Sequence, residues 1–352
     1  MHRKPLALLL IGAGRMAHTH AERFSQLDNV SILAGVDTDH KRVNEFCRSH
    51  NIPYAYETLD DALSEHHYDA VSVVTPDAFH APVTVTALAN KLPVLCEKPL
   101  ADSLAAADTM CAVAKESGLL NMVNLSYRVS GALNRAYLLI DEGAVGTVRH
   151  VEASYRQSWL CSDYWGNWQE EDAWLWRLST THGSQGVLGD IGIHILDFLA
   201  TATGLDVAAL HCRLKTFDKA PGNQIGQYLL DANDSCVINV ELTNGALGVV
   251  HMSRYYTGYQ NDLELSIHGT AGALQLSTGQ NGDRLRVCAG ADMNTQRWQL
   301  VDCDQQADTF ERFVTCLRDG STASPDFAHA RKLQAWLERC FESHNGGHWL
   351  TV

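Results

Sequence analysis

Apolar positions in the first 125 residues fall into short unbroken runs separated by stretches of helical spacing. Leu6 to Ile11, Ser31 to Val36, Ala70 to Val74, Pro93 to Cys96 and Leu120 to Asn124 are rich in Val, Leu and Ile. Runs of this length predict strands buried on both faces. Between them, Asp39 to Ser49, His80 to Asn90 and Ser103 to Ser117 are amphipathic and predict helices. Strand and helix in alternation imply parallel pairing through right-handed crossovers, hence an α/β doubly wound sheet. Ligands of such sheets lie beyond the carboxyl ends of the strands, so whatever follows each run is a candidate for the cleft.

Past residue 126 the pattern changes. Ser130 to Glu142 predicts a helix ending near Gly143, and Val148 to Tyr155 alternates apolar with polar. Cys236 to Leu242 and Ala246 to Ser253 flank Asn244-Gly245, a two-residue hairpin signal. Glu264 to His268 and Ala273 to Ser277 flank the reversal Gly269-Thr270-Ala271-Gly272. These segments predict one broad, open, antiparallel sheet whose outer face needs covering, and self-association is a common cover. Asp308 to Arg318 and Asp326 to Ser343 return to helical spacing, and the pattern leaves open which part of the fold they join. A chain of 352 residues is longer than one core usually fills, so two domains are expected, 1–125 and 126–352.

Composition narrows the class. A content of 45% hydrophobic and 19% charged residues is ordinary for a globular protein. A formal net charge of −14 repels phosphate backbones and argues against nucleic acid as a partner. Ten cysteines with no C-x-x-C spacing fit reduced thiols and a cytoplasmic location, and no apolar stretch suits a membrane span. His2-Arg3-Lys4 ahead of Leu6 to Ile11 would suit a secretory leader. The apolar core is at the short limit and no clean small-x-small cleavage site follows, so the mature chain is expected to start here.

The first strand ends in Gly12-Ala13-Gly14 and passes into a helix opening near Met16. Gly12 permits a tight turn, Gly14 lets backbone approach a pyrophosphate, Ala17 lets helix pack on strand, and the helix N-terminus offers N–H groups to the anion. Asp37 ends the second run about 20 residues further on, where a carboxylate accepts hydrogen bonds from an adenosine ribose. Its charge, with no arginine immediately after it, favours NAD over NADP. Thr75-Pro76 and His80 follow the third strand and read equally as cleft residues or as a turn and a helix cap. Glu97-Lys98-Pro99 puts an ammonium at the exit of a buried strand, or else a salt bridge in a loop.

In the second half, Asp190, His194 and Asp197 fall at i, i+4 and i+7 if a helix opens at about Asp190. A carboxylate one turn from an imidazole can hold it as a proton carrier, while a helix cap, a core histidine and a surface charge account for the same three residues. No metal site is expected, because no second histidine stands at ligand spacing. Trp159, Trp165, Trp168, Trp174 and Trp176, of eight tryptophans in the chain, cluster ahead of Arg177. They suit stacking on a sugar face, core packing or a subunit contact.

Taken together these motifs resemble the Gfo/Idh/MocA family of nicotinamide-dependent sugar and cyclitol oxidoreductases. The likeness runs through Gly12-x-Gly14-x-x-Ala17 with His20-Ala21, Asp37, Thr75-Pro76-x-x-x-His80, Glu97-Lys98-Pro99, Trp176-Arg177 and Gly186-x-x-x-Asp190-x-x-x-His194-x-x-Asp197. The resemblance implies an N-terminal Rossmann domain, a C-terminal α/β domain with an open, mostly antiparallel sheet, and a homodimer or homotetramer. It implies NAD on Gly12, Gly14, Arg15, Met16, Asp37, Thr75, Pro76, His80, Glu97 and Lys98. Lys98, Asp190 and His194 would be catalytic, and a sugar or polyol would meet Lys98, Trp176, Arg177, Asp190 and His194. Ser184-Gln185-Gly186 departs from the three glycines frequent at that place. The expected reaction is oxidation of a secondary hydroxyl. Its rivals are an NAD-dependent glycosidase working through transient oxidation and elimination, and a non-enzymatic cofactor-binding regulator.

Overall fold

The computed structural model describes residues 5–322 and 324–352, so His2, Arg3 and Lys4 of the leader alternative lie outside the described residues. The early apolar segments form β1 (Leu6–Ile11), β2 (Val30–Val36), β3 (Tyr54–Tyr56), β4 (Ala70–Val73), β5 (Val94–Cys96) and β6 (Asn121–Val123). They pair in parallel in the order β3-β2-β1-β4-β5-β6. The connections are α1 (Arg15–Ser25), α2 (His40–Ser49), α3 (Leu59–Glu65), α4 (His80–Ala89) and α5 (Leu104–Ser117). Helix α5 shows why its boundaries fall where they do. The Ser103 hydroxyl accepts the Ala106 N–H at one end, and Gly118 at φ 65° closes the other. Strand order reverses between β1 and β4, which places a ligand crevice beyond their carboxyl ends.

The following elements are α6 (Gly131–Asp141), β7 (Val148–Gln157), α7 (Asp172–Leu175), α8 (Ile193–Thr203) and β8 (Val207–Lys215). A small ribbon, β9 (Gln224–Ile225) with β10 (Tyr228–Leu229), precedes β11 (Ser235–Leu242), β12 (Leu247–Ser253), β13 (Asn261–Gly269), β14 (Gly272–Thr278) and β15 (Arg284–Ala289). The chain ends with α9 (Asp292–Thr295), β16 (Gln299–Val301), α10 (Thr309–Asp319), α11 (Phe327–Gly346) and β17 (Leu350–Thr351). The large sheet runs β16-β15-β14-β13-β7-β12-β11-β8-β17, and only the β7 with β12 pairing is parallel. Alternation decides its faces. Cys236, Ile238, Val240, Val250, Met252, Leu263, Leu265 and Ile267 are buried, while Val237, Asn239 and Glu241 point the other way and are exposed.

Two compact units result, one of residues 1–126 and 307–334, the other of residues 127–306 and 335–352. Helix α10 belongs with the first because Phe310, Phe313 and Val314 complete a buried cluster with Leu8, Phe24, Leu95 and Met122. The Asn244-Gly245 hairpin differs in detail from a two-residue turn. Gly245 alone has positive φ, and Asn244 spends its side chain on the Val148 carbonyl and the Ala246 N–H, so the loop lengthens to residues 243–246. Among the described residues no helix is long and apolar enough to cross a membrane, and the ten cysteines are free thiols.

Candidate active site

The turn after β1 is built as the glycine pattern requires. Gly12 has φ +104°, and a Cβ there would sit 2.6 Å from the Val74 carbonyl oxygen. Ala17 is fully buried in the cluster of Leu10, Val43 and Phe46. Gly14, extended and exposed, caps α1 without a side-chain hydrogen bond, and a Cβ on it would meet nothing within 4 Å. An open face therefore lies over uncapped helix N–H groups, flanked by exposed Arg15 and Met16. That is the chemistry a pyrophosphate needs. Asp37 ties this turn to β2, its Oδ2 accepting the Ala13 N–H at 2.8 Å.

Beyond β4 and β5 the expected cofactor residues take more than one role. His80 is completely buried, with Nδ1 2.9 Å from the Pro99 carbonyl and Nε2 2.9 Å from the Thr75 carbonyl. Two carbonyls demand a proton on each ring nitrogen. Burial opposes the charged ring, but the Cys96 sulfur, Asp77 and Pro99 outweigh it and raise the pKa to about 10. His80 is thus a cationic strut joining the two loops. Glu97 also faces inward. Its Oε1 accepts from Asn124 at 2.6 Å and lies 2.8 Å from His20 Nε2, while Oε2 accepts the Lys98 N–H at 3.0 Å. His20 Nδ1 lies 2.8 Å from Ser72 Oγ. Burial pushes the Glu97 carboxyl up, yet the His20 and Asn124 contacts and the Lys98 charge hold it at about 2. The Glu97 carboxylate thereby fixes the backbone from which half-buried Lys98 projects. Pro76 is exposed at the start of the loop that His80 braces.

In the second unit, the helix expected to open at Asp190 begins as a π-helical turn, Leu188–Gly192, before α8. The wider turn changes the facing of Asp190 relative to a regular i, i+4 ladder. Its Oδ2 accepts from Arg254 Nη2 at 3.2 Å and lies 3.8 Å from Arg177 Nε. Arg254 is wholly buried, stacked 4.7 Å over Trp159, with Nη1 on the Arg177 carbonyl at 3.2 Å. His194, 7% exposed, stands edge-on to Tyr127 with ring centroids 5.2 Å apart. Tyr127, Tyr155 and Asn261 form a closed hydrogen-bonded triangle beside it. Burial pushes the Tyr127 phenol up to about 12 and the Tyr155 phenol well above its ordinary value, so both are neutral. Asp197 is a structural partner, buried and bidentate with Arg128.

The tryptophans divide by burial. Trp159, Trp168 and Trp174 are core, packed with Leu160, Leu178 and Tyr228. Trp176 is 40% exposed, and the Arg177 guanidinium lies 4.6 Å above its ring. Ser184-Gln185-Gly186 folds without the other glycines: only Gly186 needs positive φ, and Ser184 Oγ donates to the Arg177 carbonyl while accepting the Gly186 N–H. Arg254, Tyr127, Tyr155 and Asn261 carried no signal in the pattern, because they come from a helical turn, two strands and the loop after β12 that only the tertiary fold brings together.

A glycine turn opening onto a helix N-terminus, an aspartate at the end of β2 and a separate unit carrying a buried histidine with a clamped carboxylate fit one class, a nicotinamide-dependent oxidoreductase. Residues 6–125 match the oxidoreductase family with NAD-binding Rossmann fold, and residues 133–275 match the Gfo/Idh/MocA C-terminal domain. The chain belongs to the Gfo/Idh/MocA family, with an NAD-binding Rossmann domain as its first unit. It is 26% identical to levoglucosan dehydrogenase of Pseudarthrobacter phenanthrenivorans over 241 residues, 64% of this chain but only 60% of that relative. It is 25% identical to D-apiose dehydrogenase of Rhizobium rhizogenes over 356 residues, 97% of this chain and 96% of the relative. A solved levoglucosan dehydrogenase in complex with NADH and levoglucosan superposes with a TM-score of 0.84 at 21% identity, covering 99% of this chain and 100% of that one.

Proposed function

We propose that this chain oxidises a secondary hydroxyl of a sugar, sugar derivative or cyclitol. NAD, when bound on Gly12, Gly14, Arg15, Met16 and Asp37, supplies the hydride acceptor. His194 takes the hydroxyl proton as general base. Asp190, in the turn before it, is held by Arg254 and Arg177 and assists the histidine. Lys98 offers an ammonium to the developing alkoxide. Exposed Trp176 gives an apolar face to a sugar ring, and Arg177 gives donors to its oxygens.

The observation that carries this reading is the Asp190 carboxylate held by two guanidiniums one turn ahead of a nearly buried histidine. The names of the levoglucosan and D-apiose relatives support the substrate class. The same reading places a second copy of the chain over the outer face of the large sheet, where Val237 and Leu247 are 46% and 55% exposed. The test is a panel of inositols, aldoses, anhydrosugars and glycosides with NAD, read by reduced-cofactor absorbance and product chromatography. Net NADH with a ketonic product supports the proposal. Released aglycone without net NADH overturns it in favour of the glycosidase, and no turnover with any polyol overturns the substrate class.

A further inference from the structure

Asp37 is more heavily engaged than a ribose acceptor needs to be. Besides Ala13, its Oδ1 accepts the Asp39 N–H at 2.9 Å and a guanidinium N–H of Arg42 at 3.3 Å. The other Arg42 nitrogen reaches Asp39 Oδ2 at 3.1 Å, and the Arg42 N–H is capped by Asp39 Oδ1. Arg42 stays 54% exposed while Asp37 is 10% exposed. No arginine follows Asp37 closely in sequence, yet the first turn of α2 brings one back against its carboxylate.

The electrostatic consequence is direct. A bare aspartate at this strand end repels a 2′-phosphate, and a nearby arginine accommodates one. Here both devices are present and tied to each other, with two carboxylates against one guanidinium. We propose that Arg42 is a masked 2′-phosphate ligand in this chain: Asp37 sets the preference for NAD and, with Asp39, holds the guanidinium, and loss of the Asp37 charge frees Arg42 to take a 2′-phosphate. Asp39 would still hold the guanidinium in place after that loss, because its own contact with Arg42 is independent of Asp37. The inference deepens the NAD reading and rests on it.

The test is calorimetric titration of the whole chain with NADH, NADPH and adenosine 2′-monophosphate, so that binding and not turnover is read. Asp37→Ser should raise NADPH affinity roughly tenfold to hundredfold, the range of one charge-assisted contact, and weaken NADH. Asp37→Asn, which keeps an acceptor for Ala13, should gain in the same direction should the serine variant fail to fold. Adding Arg42→Ala to either should abolish the gain, whereas Arg42→Lys should keep part of it. Arg42→Ala alone should leave NADH affinity within about threefold, since one exposed ion pair is worth little. A double variant that binds NADPH as tightly as the Asp37 variant, or an Asp37 variant that binds NADH and gains nothing for NADPH, overturns the role of Arg42. A natural-sequence chain that binds neither dinucleotide overturns the NAD reading itself.

Discussion

The turn after β1 contains two glycines in different surroundings, and an alanine at each separates their roles. At Gly12 the backbone holds φ +104°, and a Cβ would lie 2.6 Å from the Val74 oxygen, 2.8 Å from its carbon and 2.9 Å from the Thr75 nitrogen. All three are backbone atoms at the exit of β4, so none can rotate away. Positive φ in a non-glycine residue costs about 1–3 kcal/mol, and forced overpacking adds about 1–3 kcal/mol. Gly12→Ala should therefore lose roughly 2–6 kcal/mol of stability, a large part of a typical total. Gly14 has φ −78° and ψ −171°, which any residue adopts, and open space over its Cβ position. Gly14→Ala gains about 0.4–1 kcal/mol from a stiffer unfolded chain and loses a similar amount as a poorer helix cap. Its urea midpoint should match the parent. Its NADH affinity, measured by fluorescence titration, should fall at least about tenfold, because the methyl occupies the face where the pyrophosphate approaches. A Gly14→Ala chain that binds NADH like the parent, or a Gly12→Ala chain of parental stability, would refute this division.

His80, with a folded pKa of about 10, has its pKa raised above the unfolded value of 6.5, so its stabilisation is complete below pH 6.5 and disappears as pH rises towards 10. His80→Gln should thus lower the urea midpoint most at pH 6 and least near pH 10, and a loss independent of pH would show the ring to be neutral. Arg254→Met should cost about 3–5 kcal/mol, the penalty for breaking a buried ion pair, and reduce turnover through Asp190 while NADH affinity holds; an unchanged rate would remove Arg254 from the site. Sedimentation should show a dimer or tetramer that Val237→Lys weakens, and a monomer at micromolar concentration would leave the sheet face uncovered.

Much of the first unit is written in its apolar runs, since a strand buried on both faces is mostly apolar, and β4 is buried throughout with Ser72 its one polar residue, bonded to His20. Tyr54–Tyr56 forms β3 at the sheet edge without such a run, because an edge strand needs less burial. Likewise the attachment of α10 depends on which core Phe310 and Phe313 complete, a tertiary fact that helical spacing does not contain. Within the site, the glycine turn and the Asp190 to His194 spacing were legible as motifs. The roles of Glu97 and His80 as internal braces were not, because burial and partners decide a polar side chain's job. The π turn at Leu188–Gly192 escaped for a related reason: its sequence is compatible with a regular helix, and only packing selects the wider turn.

The central claim is that Lys98 and His194 act on the substrate's hydroxyl and leave dinucleotide binding to the cradle. Steady-state oxidation of the best polyol and NADH titration, run side by side on Lys98→Ala and His194→Asn, test it most directly. Turnover should fall roughly 10²- to 10⁴-fold in each variant, with NADH dissociation constants within about threefold of the parent. Either variant turning over at the parental rate, or losing activity only in step with lost NADH affinity, would contradict the account.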